Sequence, residues 1–390
     1  MIVLGVTSDQ TLLVLRGRAC ALRDAGFSVT ILSSPGPHFD RLASEPGLVL
    51  VPIPIRRGIA PVADIQALVR IFSLLVQLRP EIVDFSTPKA ALLGLFAARL
   101  LKIPSRVHTL RGLRLESASS LLRPLLLLAE RFTASCAHTV LCNSQSLMEE
   151  TSALAIAPRE KLRLLAHGSS NGVDPDRFYP VRDQKEQARI RAGFALPPEA
   201  LVLGYTGRFT RHKGIPELIE ALDSICAEEP NTWLLLVGWF DQSEDSLTNG
   251  IRKRIEQHPR IRSTGFMEDT TDAYRAMDIF IFPTHREGFP NVALEAAASA
   301  LPIITTTATG ARDSVRNDVT GMLVNPGDTS AITASALHLL RNSALRRQMG
   351  AAARHHAIEF FHQQKVLAAT VAFFQEIAEQ KTGESMQSLP

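Results

Sequence analysis

The 390-residue sequence is poor in cysteine, has no long apolar run and is nearly balanced in charge, and each scarcity removes a class of protein. Its cysteines, Cys20, Cys136, Cys142 and Cys226, form no Cys-x-x-Cys pair, so neither a zinc knuckle nor a disulfide framework is expected. A reducing cytosol is the compartment this thiol usage predicts. A formal net charge of +3 is too small to argue for nucleic acid. No uninterrupted apolar segment approaches the about 18 residues of a membrane span. The stretches Ala90 to Ala98 and Leu125 to Ala129 end at Arg99 and Glu130. The opening MIVLGVTSDQ lacks a basic start before a long apolar run and reads as a first strand, not a leader. After that strand stand Thr7-Ser8-Asp9-Gln10 where a Gly-x-Gly-x-x-Gly would sit, which counts against a dinucleotide cofactor.

What is present describes a soluble α/β chain. Hydrophobic residues make up 45% and charged residues 21%, which suits a globular protein, and the length suits two domains rather than one. Short β-rich runs at Ile2 to Val6, Phe27 to Leu32, Val49 to Ile53, Ile82 to Phe85, Arg106 to Thr109 and Thr139 to Cys142 alternate with helix-length segments. The Gly-, Ser-, Asn-, Asp- and Pro-rich run from Ala166 to Val181 reads as a connecting loop. The alternation then restarts at Leu201 to Thr206, Thr232 to Val237, Arg262 to Gly265, Ile279 to Phe282, Leu301 to Thr305 and Gly321 to Val324. Strand–helix repetition of this kind predicts parallel sheets covered on both faces, with binding loops at the carboxyl ends of the strands.

One stretch organises the second half: PTHREGFPNVALEAAASALP, from Pro283 to Pro302. An apolar helix here carries a single carboxylate, Glu295, which needs a polar partner because an unpaired buried charge is costly. Gly288 permits close approach of backbone to a ligand, Pro290 suits a first helical position, and the free N–H groups beyond it favour an anion. With Glu287 at the mouth, the arrangement suits a sugar at Glu287, a phosphate at the helix start and a ribose at Glu295. A core helix whose Glu295 merely meets a backbone donor or an arginine is the plainer alternative. The first strand of that half leads into GRFTRHKG, with Gly207 at the turn and Arg208 and Lys213 before the next helix. An arginine fork and a lysine point charge at a strand lip suit a diphosphate.

In the first half, Arg16 either faces the crevice at the strand ends or is a solvated helix residue. His108, Thr109 and Arg111 close a strand, where His108 or Arg111 would meet a reacting hydroxyl or an acidic acceptor, or serve the fold alone. Between Arg99 and Arg131 a leucine-rich helix, SSLLRPLLLLAERF, lies among basic residues. It reads either as a core helix with a solvated basic face or as a peripheral contact with an anionic membrane. Asp174-Pro175-Asp176 has the form of a metal-binding Asp-x-Asp, but stands in turn-rich sequence where these residues serve the backbone.

GRFTRHKG, the later REGFPNVALEA and GFMED between them resemble the retaining glycosyltransferases of family 4, and LRGRACALRDAGFSVTILSSPG, PEIVDFSTPKAALLGLFAARLLKIPSRVHTLRGL and HGSSNGVD extend the resemblance over nearly the whole chain. It is similar to members that build surface polysaccharides or lipid-linked oligosaccharides. The resemblance implies a GT-B fold of two doubly wound Rossmann-like domains facing across a cleft. Residues 1–180 would bind the acceptor, 181–360 the nucleotide sugar, and 361–390 would form a helix returning to the first domain, and a tail. It implies Arg208 and Lys213 at the donor diphosphate, Glu287 at the donor sugar and Glu295 at the ribose. Phe289, Pro290 and Asn291 would offer backbone to the phosphates, and Gly265 to Phe266 would lie by the nucleobase. Two departures fall on the acceptor side: Arg111 stands where many members have histidine, and the first glycine loop is replaced. His108 cannot inherit that role, since it would project to the opposite face of the strand.

The expected function is therefore transfer, with retention, of a hexose or N-acetylhexosamine from a UDP sugar to a saccharide, a lipid-linked one. The donor would act as co-substrate, with no metal or other cofactor, in the cytoplasm at the inner face of the cell membrane. An epimerase or phosphorylase of the same fold, or a silent scaffold, are the competing readings. An epimerase needs acid and base groups around the sugar ring, and a phosphorylase needs a second phosphate site. A scaffold would be free to lose Arg208, Lys213, Glu287 and Glu295.

Overall fold

A computed structural model describes residues 1–56, 58, 60–241 and 245–387, the side chains of 381–387 excepted. The chain forms two compact units, Met1–Asn171 together with Gln364–Pro390, and Gly172–Gln363.

The first unit alternates β1 (Ile2–Gly5), α1 (Leu12–Asp24), β2 (Val29–Ser33), α2 (Pro37–Ala43), β3 (Leu48–Pro52), α3 (Pro61–Leu78), β4 (Ile82–Ser86), α4 (Pro88–Leu100), β5 (Ser105–Leu110), α5 (Arg123–Cys136), β6 (Thr139–Cys142), α6 (Gln145–Ala153) and β7 (Leu162–Leu164). All strands run parallel in the order β3-β2-β1-β4-β5-β6-β7. Strands covered on both faces must be apolar on both, and successive side chains serve different cores. Ile2 and Leu4 join α1 and Phe39 in one core, whereas Val3 joins α3, α4 and α5 in the other. Proline at the start of α3, α4 and α5 suits positions whose N–H has no helical partner. The strand β7 has only three residues, at the sheet edge, too short for a periodic signal.

The second unit follows with α7 (Gln184–Gly193), β8 (Leu201–Thr206), α8 (Ile215–Glu228), β9 (Thr232–Val237), α9 (Asn249–Gln257), β10 (Ile261–Ser263), α10 (Thr271–Ala276), β11 (Ile279–Phe282), α11 (Asn291–Ala298), β12 (Ile303–Thr306), β13 (Gly321–Val324), α12 (Thr329–Arg341) and α13 (Ser343–Phe361). Its strand order, β10-β9-β8-β11-β12-β13, is again parallel and reverses direction between β8 and β11. Such a switch point spreads two successive strand-end loops and leaves a binding crevice there. Asp183 starts α7 by accepting from the Glu186 N–H at 2.8 Å, while the Glu186 carboxylate accepts from the Arg182 N–H at 2.8 Å. The last helix, α14 (Gln363–Gln387), returns to the first unit, where Phe374 is fully buried against the α1 side of the sheet.

Several boundaries differ from the sequence expectation, and β2 begins at Val29, two residues late. The strand β10 ends at Ser263, two residues early, and Gly265 turns the chain with φ of 72°. The strand β12 begins after Pro302. Pro290 is the residue capping α11, with ψ of 100°, and the first helical position is Asn291.

Candidate functional site

The crevice at the second unit's switch point gathers the loops after β8 and β11. Gly207 follows β8 with φ of 146°, and Gly214 at the start of α8 has φ of 74°. A Cβ on Gly214 would stand 2.0 Å from the Pro283 carbonyl oxygen, so only glycine lets the two loops touch. They are stitched by the His285 N–H donating to the His212 carbonyl at 2.8 Å and by the Thr284 hydroxyl donating to the same oxygen at 3.2 Å.

Lys213 and Glu287, 74 residues apart in sequence, form an ion pair across this seam, and each side chain is about 15% exposed. The Lys213 ammonium lies 5.1 Å from the Phe282 ring centroid, and the Thr284 hydroxyl stands 3.2 Å from the Glu287 carboxylate. Burial lowers the lysine pKa while Glu287 opposes the shift. Arg208 pairs with Asp241 beyond β9 and remains about a third exposed. His212 lies against Asp245, yet its pKa is pushed down to about 3, by burial first and then by Arg286, Lys213 and Arg208. The cations here crowd one another, and an entering anion would relieve that repulsion.

The loop before α11 is equally constrained. Gly310 approaches so closely that a Cβ would meet the Gly288 carbonyl oxygen at 2.5 Å. The Phe289 ring is buried against Phe361, with centroids 5.0 Å apart, so this residue offers only its backbone to a ligand. Asn291 opens the helix. One turn further, the Glu295 carboxylate accepts from the Tyr274 hydroxyl at 2.8 Å, and burial raises its pKa to about 7. Neither a backbone donor nor an arginine fills the role that the plainer sequence reading gave its partner; a tyrosine does.

At the ends of β9 and β10, Phe266 is 53% exposed and meets Trp239 edge to face at 5.3 Å. Trp239 escaped the sequence reading; its signal was an aromatic pair straight after a glycine at a strand end, GWF. A cavity of about 690 Å³ in the same unit is lined by Arg177, Met267, Asp269 and Arg275 among others, and by none of Arg208, Lys213 and Glu287. Asp174 accepts from the Asp176 N–H at 3.0 Å, a local turn.

The first unit gathers a different set at the ends of β4, β5 and β6. Arg111 donates to the Ser170 hydroxyl at 2.9 Å, which also accepts from Asn143 at 2.9 Å. The Nε and Nη2 of Arg111 are shielded from solvent without a hydrogen-bond partner among the described residues, and burial lowers its pKa to about 9. His108 is 1% exposed inside the sheet, and burial depresses it to about 4, so it stays neutral. Arg16 does not join the cluster: it is 56% exposed and bound to Glu45 on the surface. Arg18 takes the inward place, 3% exposed, donating to Asp84 at 2.8 Å and to Thr109 at 2.9 Å. Two residues along a helix are some 200° of rotation, about the opposite face, and the sequence offered no sign of which arginine was inward.

Comparison with known proteins places this geometry in a wider group. The family "Glycosyl transferases group 1" matches residues 200–342, and the family "Glycosyl transferase 4-like domain" matches residues 14–168. The capsular polysaccharide biosynthesis glycosyltransferase CapM of Staphylococcus aureus is 34% identical over 345 residues, covering 88% of this chain and 89% of that protein. The UDP-Gal:alpha-D-GlcNAc-diphosphoundecaprenol alpha-1,3-galactosyltransferase of Escherichia coli is 26% identical over 301 residues, 76% of either chain. Among solved structures, Alr3699/HepE of Anabaena in complex with UDP-glucose superposes with a TM-score of 0.78 at 18% identity, over 98% of this chain and 99% of that one. At that identity the likeness is one of fold.

Proposed function

Because the chain belongs to the group 1, family 4 glycosyl transferases and has their GT-B fold, we propose that this glycosyltransferase moves a hexose or N-acetylhexosamine, with retention, from a UDP sugar to a lipid-linked saccharide. The observation that carries the reading is the Lys213–Glu287 pair at the switch point of the second sheet, beside Arg208 and the start of α11. A uridine nucleotide is supported by the E. coli relative, named for UDP-galactose, and by the Anabaena structure, which holds UDP-glucose. The diphosphoundecaprenol in the first name supports a lipid-linked acceptor.

In the resting protein Lys213 and Glu287 neutralise each other. An entering donor separates their tasks: Lys213 and Arg208 take the diphosphate, Glu287 orients the sugar, and Glu295 accepts from the ribose hydroxyls. The bond from the anomeric carbon to the diphosphate oxygen breaks while the acceptor oxygen bonds to the same face of that carbon. The acceptor's proton passes to the departing phosphate oxygen, so the charges that stabilise the leaving group also set its basicity. Arg111, carrying unpaired donors at the strand ends of the first unit, contacts an anionic part of the acceptor. The leucine-rich α5 holds the protein at the inner face of an anionic membrane, in the cytoplasm.

The test is a screen of UDP, GDP and ADP sugars by calorimetry and turnover, with Lys213→Ala beside the native protein. Tight binding of one UDP sugar is expected, with slow release of sugar to water, and Lys213→Ala lowers turnover on the order of a hundredfold. A folded Lys213→Ala protein turning over at the native rate, or no nucleotide bound at all, overturns the reading.

A further inference from the structure

The face of the first unit formed by α3, α4 and α5 carries most of the large apolar side chains that the described residues leave exposed. These helices cover one side of the sheet, with α4 packed between its two neighbours. On α3, Ala67, Ile71 and Leu75 are buried on the sheet, while Val62, Ile65, Val69 and Val76 are 72%, 63%, 58% and 46% exposed. Their spacing of three, four and seven residues sets them in one stripe along the helix, turned away from the buried residues. The same division recurs at α5: Glu130, Thr133 and Ala134 face inward, Leu125, Leu128 and Phe132 are 57%, 62% and 44% exposed, and Leu121 just before the helix is 89% exposed. Leu100, 56% exposed at the end of α4, lies on the helix between them.

Charge on these helices has one sign at the surface. Arg70, Arg99, Arg123 and Arg131 are exposed. Of the acids, Asp64 is taken up by Lys89 at 2.8 Å and Glu130 is buried. An apolar plane fringed only by arginines is mismatched to a second copy of itself, because a twofold contact would set like charges together. It is matched to a bilayer with anionic headgroups, where the side chains enter the acyl boundary and the guanidinium groups meet phosphate. The helix α3 reaches the length and composition of a membrane span, with a mean hydropathy of 1.4, but it buries one face on its own sheet as the crossover from β3 to β4. It is built to lie along a membrane.

We propose that α3 and α5 together form a two-railed seat by which the first unit docks flat on an anionic lipid bilayer, with α3, which the sequence did not single out, as the second rail. The inference deepens the lipid-linked reading above and rests on it only for the purpose of the contact; the docking itself rests on the exposed stripes and their fringe. A protein seated this way would meet an acceptor carried in the same membrane without first extracting it.

The experiment is co-sedimentation of the full chain with phosphatidylcholine vesicles, with and without phosphatidylglycerol. Native protein is expected to partition onto the phosphatidylglycerol vesicles and to be released as salt rises. The double variant Ile65→Ser, Val69→Ser, changed only at exposed positions, is expected to partition at least about tenfold more weakly. Its far-ultraviolet circular dichroism and UDP affinity stay native. Native protein that ignores the vesicles, or a variant that binds as native does, overturns the seat. So does a lipid-free native dimer that the variant turns into a monomer, which would assign the face to a second copy. Loss of UDP binding by native protein that still sediments with lipid would sink the donor reading and leave the seat standing.

Discussion

At the scale of single residues, the two carboxylates of the candidate donor site sit in opposite electrostatic settings. Glu287 is already matched by Lys213, whereas Glu295 accepts from the Tyr274 hydroxyl, and burial leaves it with a pKa of about 7. In the folded protein its protonated form is favoured. The sign for stability follows: there is no penalty below the ordinary carboxylate pKa of about 4.3, and stability is lost as pH rises through about 7 and the buried group ionises. A ribose reverses the preference, since its hydroxyls donate and a carboxylate accepts them better than a carboxylic acid does. UDP affinity is therefore expected to strengthen from pH 6 to pH 8 and then level off. The UDP phosphate titrates in the same range, so calorimetry across pH compares native protein with Glu295→Gln, which should lose the extra slope. Identical pH slopes would remove the ribose role. Glu295 could be flagged in sequence because it interrupts an apolar run, but Tyr274 could not: it arrives from α10, a six-residue helix with no pattern linking it to α11.

At the scale of elements, the switch point does most of the positioning. Once strand runs and their restart are recognised, Arg208 and Lys213 fall after β8 and Glu287 falls after β11, and the order β9-β8-β11-β12 sets those loops side by side. What sequence could not supply was the closeness of the seam, which depends on Gly214. Its φ of 74° and the 2.0 Å from a would-be Cβ to the Pro283 carbonyl oxygen leave no room for a side chain, and the obstacle is backbone that cannot rotate aside. Gly214→Ala is expected to destabilise the second unit by more than about 1 kcal/mol and to weaken UDP binding by parting Lys213 from Glu287. Denaturant unfolding and UDP titration of the same variant would check this, and a native midpoint with native affinity would contradict it. Helix faces show the limit of pattern reading from the other side. The leucines of α5 stood out because they are consecutive, yet Leu126 and Leu127 pack inward while Leu125 and Leu128 face out. On α3 the apolar residues of both faces merge into a stretch whose only charges are Asp64 and Arg70, and only the sheet beneath decides which are spare.

At the scale of the whole molecule, the two units have separate apolar cores, and the chain enters the first of them twice. Phe374 is fully exposed to no solvent, and Val371, Phe373 and Ile377 of α14 pack around it on the α1 side of the first sheet. Truncating one buried phenylalanine to alanine costs about 3–5 kcal/mol, a large share of the about 5–15 kcal/mol that holds a domain folded. Removing the chain after Gln363 is thus expected to unfold the first unit, while the second, whose core contains no residue beyond Phe361, keeps its fold and its UDP site. Ligand linkage makes the two events separable. At a hundredfold excess over Kd, UDP should add about 2.7 kcal/mol to the unit that binds it and nothing to the other. Denaturation of the full chain should then show one transition that moves with UDP and one that does not, and the truncated chain should retain only the first. If truncation abolished UDP binding, or if UDP shifted both transitions equally, the donor site could not belong to Gly172–Gln363 alone, and the pairing of Lys213 with Glu287 would have to act through groups of the first unit.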